Sequence, residues 1–138
     1  MVMILRIMAI DYGDARTGIA VSDAMNMMAG DAWIVKGKMA VVAGIIADEA
    51  KKREVGRIVL GYPKNMDGTL GVRAEKSREL AALLTEMSGL EVVLWDERRT
   101  TFDAHRILSD VGRYGKKRKE KVDAVAATLI LEGYLNSL

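Results

Sequence analysis

The period of the hydrophobic pattern changes part-way along this chain, and that change limits the folds open to it. Before about residue 36 the apolar residues come in short runs. Residues 4–10 are continuous but for Arg6, residues 17–21 follow a Tyr12-Gly13-Asp14-Ala15 turn, and residues 32–35 make a third run. Runs of that length between turn residues read as strands, and their short links favour an antiparallel meander. From Met39 the spacing becomes helical, with Met39, Val42, Ala43, Ile46 and Ala50 on one face and an end near Arg53. Residues 57–60 are again a buried strand, stopped by Gly61 and Pro63. Ser77, Leu80, Ala81, Leu84 and Met87 mark a second helix, with Gly89 where a C-terminal cap belongs. Residues 91–95 form a fifth strand. Ala104, Ile107, Leu108 and Val111 define a helix introduced by Thr100 and Asp103, and residues 122–135 a final one. The order is βββαβαβαα. Strands alternating with helices imply right-handed crossovers and parallel pairing onto the first hairpin, hence an α/β fold with a five-stranded mixed sheet and helices on both faces.

A chain of 138 residues, half of them hydrophobic, is expected to form one domain over residues 1–138. It has no cysteine, which excludes a disulfide framework, a Cys-based zinc site and a thiolate nucleophile, and fits a reducing, cytoplasmic setting. The opening apolar run is too short to span a membrane, is broken by Arg6, and is followed at once by Asp11 and Asp14. It reads as a strand, not a signal peptide, and no membrane association is expected. Net charge is only +2, but it is unevenly spread. The segment 113–121 carries six basic residues and one acid; taking these from totals of 21 and 19 leaves 15 basic against 18 acidic. One basic segment on a near-neutral body suggests a local polyanion contact. With Gly112 and Gly115 beside it and mutual repulsion within it, the segment is expected to be a mobile loop.

Three acids stand where chemistry needs them. Asp11 follows the first strand directly, and sites in open α/β sheets gather at the carboxyl ends of strands. An Asp there also suits a turn before Gly13, bonding its own backbone. Asp96 and Glu97 follow the fifth strand, so one of that pair would emerge beside Asp11 if the two strands run parallel. Asp123 heads a helical face that continues through Ala127, Ile130 and Tyr134. A carboxylate on so apolar a stripe is costly unless a charge meets it, although the first turn of a helix also favours an acid. Three carboxylates without His or Cys suit a hard cation, Mg²⁺ or Mn²⁺. Such ions, paired at roughly 4 Å, promote phosphodiester hydrolysis. The lone His105 lies inside an expected helix and reads as a packing or surface residue. No Ser–His–Asp arrangement or phosphate-binding P-loop pattern is present.

Several motifs carry a resemblance. Residues 9–13 read Ala-Ile-Asp-Tyr-Gly, 18–23 Gly-Ile-Ala-Val-Ser-Asp, and 58–68 Ile-Val-Leu-Gly-Tyr-Pro-Lys-Asn-Met-Asp-Gly. Asp96-Glu97-Arg98-Arg99-Thr100-Thr101 follows, then Lys116-Lys117-Arg118-Lys119 with residues 122–127, Val-Asp-Ala-Val-Ala-Ala. In order and spacing, from near residue 4 to the end, the chain resembles the YqgF/RuvX family, described as Holliday junction resolvases and as nucleases that trim pre-16S ribosomal RNA. The resemblance implies an RNase H-like fold and a catalytic, metal-binding trio of Asp11, Glu97 and Asp123. It further implies nucleic-acid contacts by Arg16, Lys64, Asn65, Arg98, Thr100, Thr101, Lys116, Lys117, Arg118 and Lys119. Two positions depart from the family pattern: Arg99 and Thr17 each replace an aliphatic residue.

The expectation is therefore a metal-dependent hydrolase of ester bonds in nucleic acid, structured RNA or branched DNA, acting as a monomer or weak homodimer. Processing of pre-16S ribosomal RNA is the preferred role and junction resolution the alternative. Two other classes compete. ATPases of the actin, Hsp70 and sugar-kinase type share the fold but need two such domains, and 138 residues supply one. A non-catalytic RNA-binding assembly factor with a relic site would not need all three acids.

Overall fold

The computed structural model describes residues 5–63, 71–96 and 115–138, the side chains of 115–123 excepted. Among them the chain forms β1 (Arg6–Asp11), β2 (Arg16–Ser22), β3 (Ala29–Lys36), α1 (Met39–Lys52), β4 (Val55–Tyr62), α2 (Val72–Ser88), β5 (Glu91–Asp96) and α3 (Gly115–Ser137). The sheet order is β3-β2-β1-β4-β5. Antiparallel pairing of β1 with β2 and of β2 with β3 makes the expected meander, and β4 adds parallel to β1, then β5 parallel to β4. All three parallel strands therefore end on one edge, at Asp11, Tyr62 and Asp96. The helix expected around residues 104–111 lies outside the described residues.

Alternation along the strands divides the sheet into two dry faces. Met8, Ile10, Ile19, Val21, Ile58 and Leu60 pack against Val42, Ala43, Ile46 and Ala50 of α1 and Leu80 and Leu84 of α2. The intervening residues Ile7, Ala9, Ala20, Val59 and Trp95 pack against Ala127, Ile130, Leu131 and Tyr134 of α3. A strand buried on both faces has no polar positions to alternate with, which is why residues 7–10 of β1 and 58–60 of β4 read as unbroken apolar runs. Helix α1 starts without a side-chain cap, so its burial against the sheet, not its ends, holds it in place. Helix α2 stops where expected: Gly89 has φ 71° and donates its N–H to the Thr85 carbonyl at 3.0 Å. That left-handed backbone is open to glycine at little cost.

Near its C-terminal end α3 is tied to the sheet by Tyr134. Its ring meets Trp95 edge-on, with centroids 5.8 Å apart at 88°, and its hydroxyl accepts a 2.7 Å hydrogen bond from Arg57 Nη1. The other arm of that guanidinium donates to Glu91 at 3.1 Å. Arg57 lies early in β4 beside Ile7, and Glu91 is the first residue of β5. The last turns of α3 are thus anchored toward the amino ends of the parallel strands.

The N-terminal half of α3 corrects one expectation. Lys116, Lys117, Arg118 and Lys119 were expected in a mobile loop, and they form the first turns of the helix instead. Lys, Arg and Glu are all good helix formers, and the loop expectation weighed charge repulsion above that propensity. The first turn of α3 carries no acid to offset the helix dipole.

Candidate active site

Asp11 is the last residue of β1 and is half-buried. It lies directly opposite Gly18 of β2. On the other side the β1–β4 ladder ends at Ile10 and Leu60, and the next β4 residue is Gly61. Glycine therefore stands directly opposite Asp11 on β2 and just past the end of the ladder on β4. Asp11 shares the alternation of Ile7 and Ala9, which belongs to the face covered by α3. The turn that follows is fixed by Gly13, where a Cβ would stand 2.3 Å from the Arg16 carbonyl oxygen, so no side chain fits there. Thr17, one of the two departures from the family pattern, is fully buried and points its hydroxyl at the Gly13 carbonyl, 3.5 Å away. It keeps the shape of a branched aliphatic residue and satisfies its extra polar atom locally. Across the turn, Lys76 of α2 pairs with Asp14 at 2.8 Å, and this hydrogen bond holds the ammonium above the usual lysine pKa.

The alternation also discriminates within the acidic pair at the end of β5. Val93 and Trp95 turn to the α3 face and Val92 to the opposite face. Asp96, opposite Tyr62 of β4, shares the alternation of Val92, so it does not lie on the face of Asp11. Glu97 follows next in sequence. It lies outside the described residues, as do Lys64, Asn65, Arg98, Thr100, Thr101 and His105. Asp123 lies in α3, one turn before Ala127 and two turns before Ile130, both of which face the sheet. Among the described residues no three His, Cys, Asp or Glu side chains cluster, and of the expected trio only the Asp11 side chain is described.

Arg16, expected as a nucleic-acid contact, is the first residue of β2 and stands directly opposite Lys36 of β3. Lys36 was not singled out from the sequence. Only the register of β2 against β3 brings it to this edge, and register is not written in the local pattern of either strand.

Residues 5–137 match the family model RuvX, described as Holliday junction resolvase. The chain belongs to the RuvX family. It is 44% identical over 137 residues to a Halothermothrix orenii protein named "Putative pre-16S rRNA nuclease", covering 96% of this chain and 95% of that one. A Ruminiclostridium cellulolyticum protein of the same name is 38% identical over 136 residues, covering 97% and 96%. Among solved structures, T. thermophilus RuvC in complex with Holliday junction substrate superposes with a TM-score of 0.61, covering 96% of each chain at 10% identity. At that identity the likeness shows the fold, and the RuvX chain is an RNase H-like α/β protein, as its motifs implied.

Proposed function

We propose that this RuvX-family nuclease, a hydrolase of phosphodiester bonds, trims precursor 16S ribosomal RNA, with Asp11, Glu97 and Asp123 as its catalytic carboxylates. The observation that carries the reading is the setting of Asp11: the carboxyl end of the central strand, on the α3 face, with glycine on both neighbouring strands. That setting puts the carboxylate on the edge where the three parallel strands end. The names of the full-length relatives supply the substrate.

The other two acids follow from the same frame. Carried one residue beyond Asp96, the alternation of β5 would bring Glu97 to the face of Asp11. In α3, Asp123 precedes Tyr134 by eleven residues, about 16 Å along a helix. From Ile7 to Asp11 is about 13 Å along a strand. With Tyr134 anchored toward the amino ends, these lengths support a meeting of Asp123 and Asp11 at the carboxyl edge.

An all-oxygen donor set on an open edge fits a hard cation, so Asp11, Glu97 and Asp123 would hold one or two Mg²⁺ or Mn²⁺ ions. When bound, such ions supply positive charge at the phosphate and promote attack by water. The chain's own residues position and insulate that chemistry. The packed layer of Ala9, Ala20, Ala127 and Ile130 beneath the edge keeps water out from below. Gly13 and the Lys76–Asp14 pair fix the turn after Asp11. In the proposal Arg16, Lys64, Asn65, Arg98, Thr100, Thr101 and the basic first turns of α3 contact the nucleic-acid backbone.

The family's own description favours a second reading, cleavage of branched DNA. A resolvase needs two sites on a symmetric dimer, whereas an RNA-trimming enzyme acts as a monomer or weak dimer. We read the chain as one cytoplasmic domain over residues 1–138. Among the described residues, no helix is long and apolar enough to cross a membrane.

Incubating wild type and Asp11→Asn with Mg²⁺ and either a labelled precursor-rRNA fragment or a four-way DNA junction tests the proposal. Wild type should cut the RNA, and Asp11→Asn should lose about a hundredfold or more in rate. Cleavage of the junction alone would make the second reading correct. Binding without cleavage would make the protein a non-catalytic RNA-binding factor.

A further inference from the structure

Helix α1 lays Val42, Ala43, Ile46 and Ala50 against the sheet and turns Val41, Gly44, Ile45 and Asp48 outward. Val41 is 56% exposed and Ile45 37%, and Met87 of α2, beside Gly44, is 51% exposed. They form an apolar patch on the sheet face opposite that of Asp11. Singly exposed apolar side chains are ordinary, whereas grouped ones mark a contact surface. Gly44 sharpens the point. Within this chain a Cβ there would meet nothing nearer than the Met87 Cε, at 3.7 Å. Alanine would fit and would favour the helix, so the packing of the described residues does not call for glycine. A second helix crossing over that bare backbone does, because the distance between helix axes follows the side chains at the contact.

The charges name the partner. Helix α1 has Lys38 at its N-cap, no side-chain cap and no acid in its first turn. Its start is therefore a positive end that an anion would stabilise. Further along, Asp48 presents an exposed carboxylate, held at 3.0 Å by the equally exposed Lys52, a surface pair of little strength. When two copies of α1 lie antiparallel with Val41 of one on Ile45 of the other, Lys38 of one comes beside Asp48 of the other. Both pairs are centred on residue 43. A two-fold axis there makes each contact occur twice, as an isologous interface requires.

We propose that α1 is the contact helix of a reversible symmetric dimer, in which Val41, Gly44 and Ile45 of two copies cross and Lys38 pairs with Asp48 of the other copy at each end. One helix and one methionine bury less than a permanent dimer requires, so the association is weak. Helix α1 runs from the carboxyl edge of the sheet, where β3 ends, back to the amino edge, where β4 begins. Antiparallel contact therefore carries the two Asp11 edges to opposite ends of the dimer, each on an outward face. Each site then meets its own strand of nucleic acid, not two arms of one junction.

Sedimentation equilibrium of the full chain over rising concentration tests this. It needs no cleavage, so its failure is separate from a failure of the catalytic reading. Wild type should pass reversibly from monomer to dimer. Ile45→Glu and Gly44→Gln should each raise the dimer Kd by about tenfold or more. In dilute solution Gly44→Gln should melt at or above the wild-type temperature, because glutamine is the better helix former; a fold defect would lower it. Lys38→Glu and Asp48→Lys should each weaken the dimer alone, and the two combined should restore it, since opposite charges then meet again. Wild type that stays monomeric at every concentration would overturn the proposal. So would a dimer that Ile45→Glu and Gly44→Gln leave intact, or a double reversal as weak as either single one.

Discussion

Asp11 was legible in the sequence because a strand end is marked by the residues themselves: an apolar run, a carboxylate, then Gly13. The adjacent acids were not separable in the same way. Asp96 and Glu97 are neighbours, and only the facing of Val93 and Trp95 toward α3 shows that Asp96 belongs to the other side. Asp123 offers the cleanest division between chemistry and folding. Clustered carboxylates repel, so Asp123→Asn should leave the metal-free melting temperature unchanged or slightly higher, while Mg²⁺ should stabilise the variant less than wild type. Thermal melts in EDTA and in Mg²⁺ check this. A scaffold role would instead appear as a loss of roughly 1 kcal/mol or more in EDTA. The Lys76–Asp14 pair beside the site gives a pH prediction. Hydrogen bonding to Asp14 raises the folded-state lysine pKa above its ordinary 10.5. The linked stability is fully present below that ordinary value and is lost as pH rises through the folded one. Asp14→Asn should therefore lower stability slightly at neutral pH, and the gap to wild type should close at strongly alkaline pH in urea titrations.

At the scale of elements, most of the helices and strands followed from pattern, and their misjudged limits have identifiable causes. Strand β3 runs from Ala29 rather than residue 32, because its pairing with β2 carries polar Asp31 into the ladder. Helix α2 begins at Val72, five residues before its first buried serine, because Ala74 is also buried within a charged stretch that masks the period. Helix α3 was read too short, since its first turns are cationic where a helix dipole favours acids. That mismatch is testable as an element. Replacing Lys116, Lys117, Arg118 and Lys119 together with alanine should strengthen the helix at low salt, by roughly 0.3 kcal/mol or more per charge at the first turn. It should also flatten the salt dependence of nucleic-acid binding by about 0.7 to 0.9 per lost contact. Circular dichroism and binding titrations against KCl measure the two effects, and an unchanged salt slope would leave these residues without a role in binding.

For the whole molecule, the change of hydrophobic period was enough to give the meander, the parallel additions and the two covered faces. It could not give register, and so could not show that Arg16 and Lys36 stand together. The face under α3 is built of Ile7, Ala9, Ala20, Val59 and Trp95, none of which belongs in water. A chain cut after residue 114 should consequently lose its cooperative unfolding transition and show no cleavage at all, by urea denaturation and by gel assay. Normal melting of the truncated chain would mean that α3 is dispensable to the sheet. Position along the chain then has a meaning in time. Helix α3 comes after every strand it covers, so it leaves the ribosome after them, and the early strands wait for a contact more than a hundred residues away. If the proposed trio is right, a nascent chain holds Asp11 long before it holds Asp123. The enzyme would then be born without a blade, and its cutting would begin only once synthesis had carried the last helix clear.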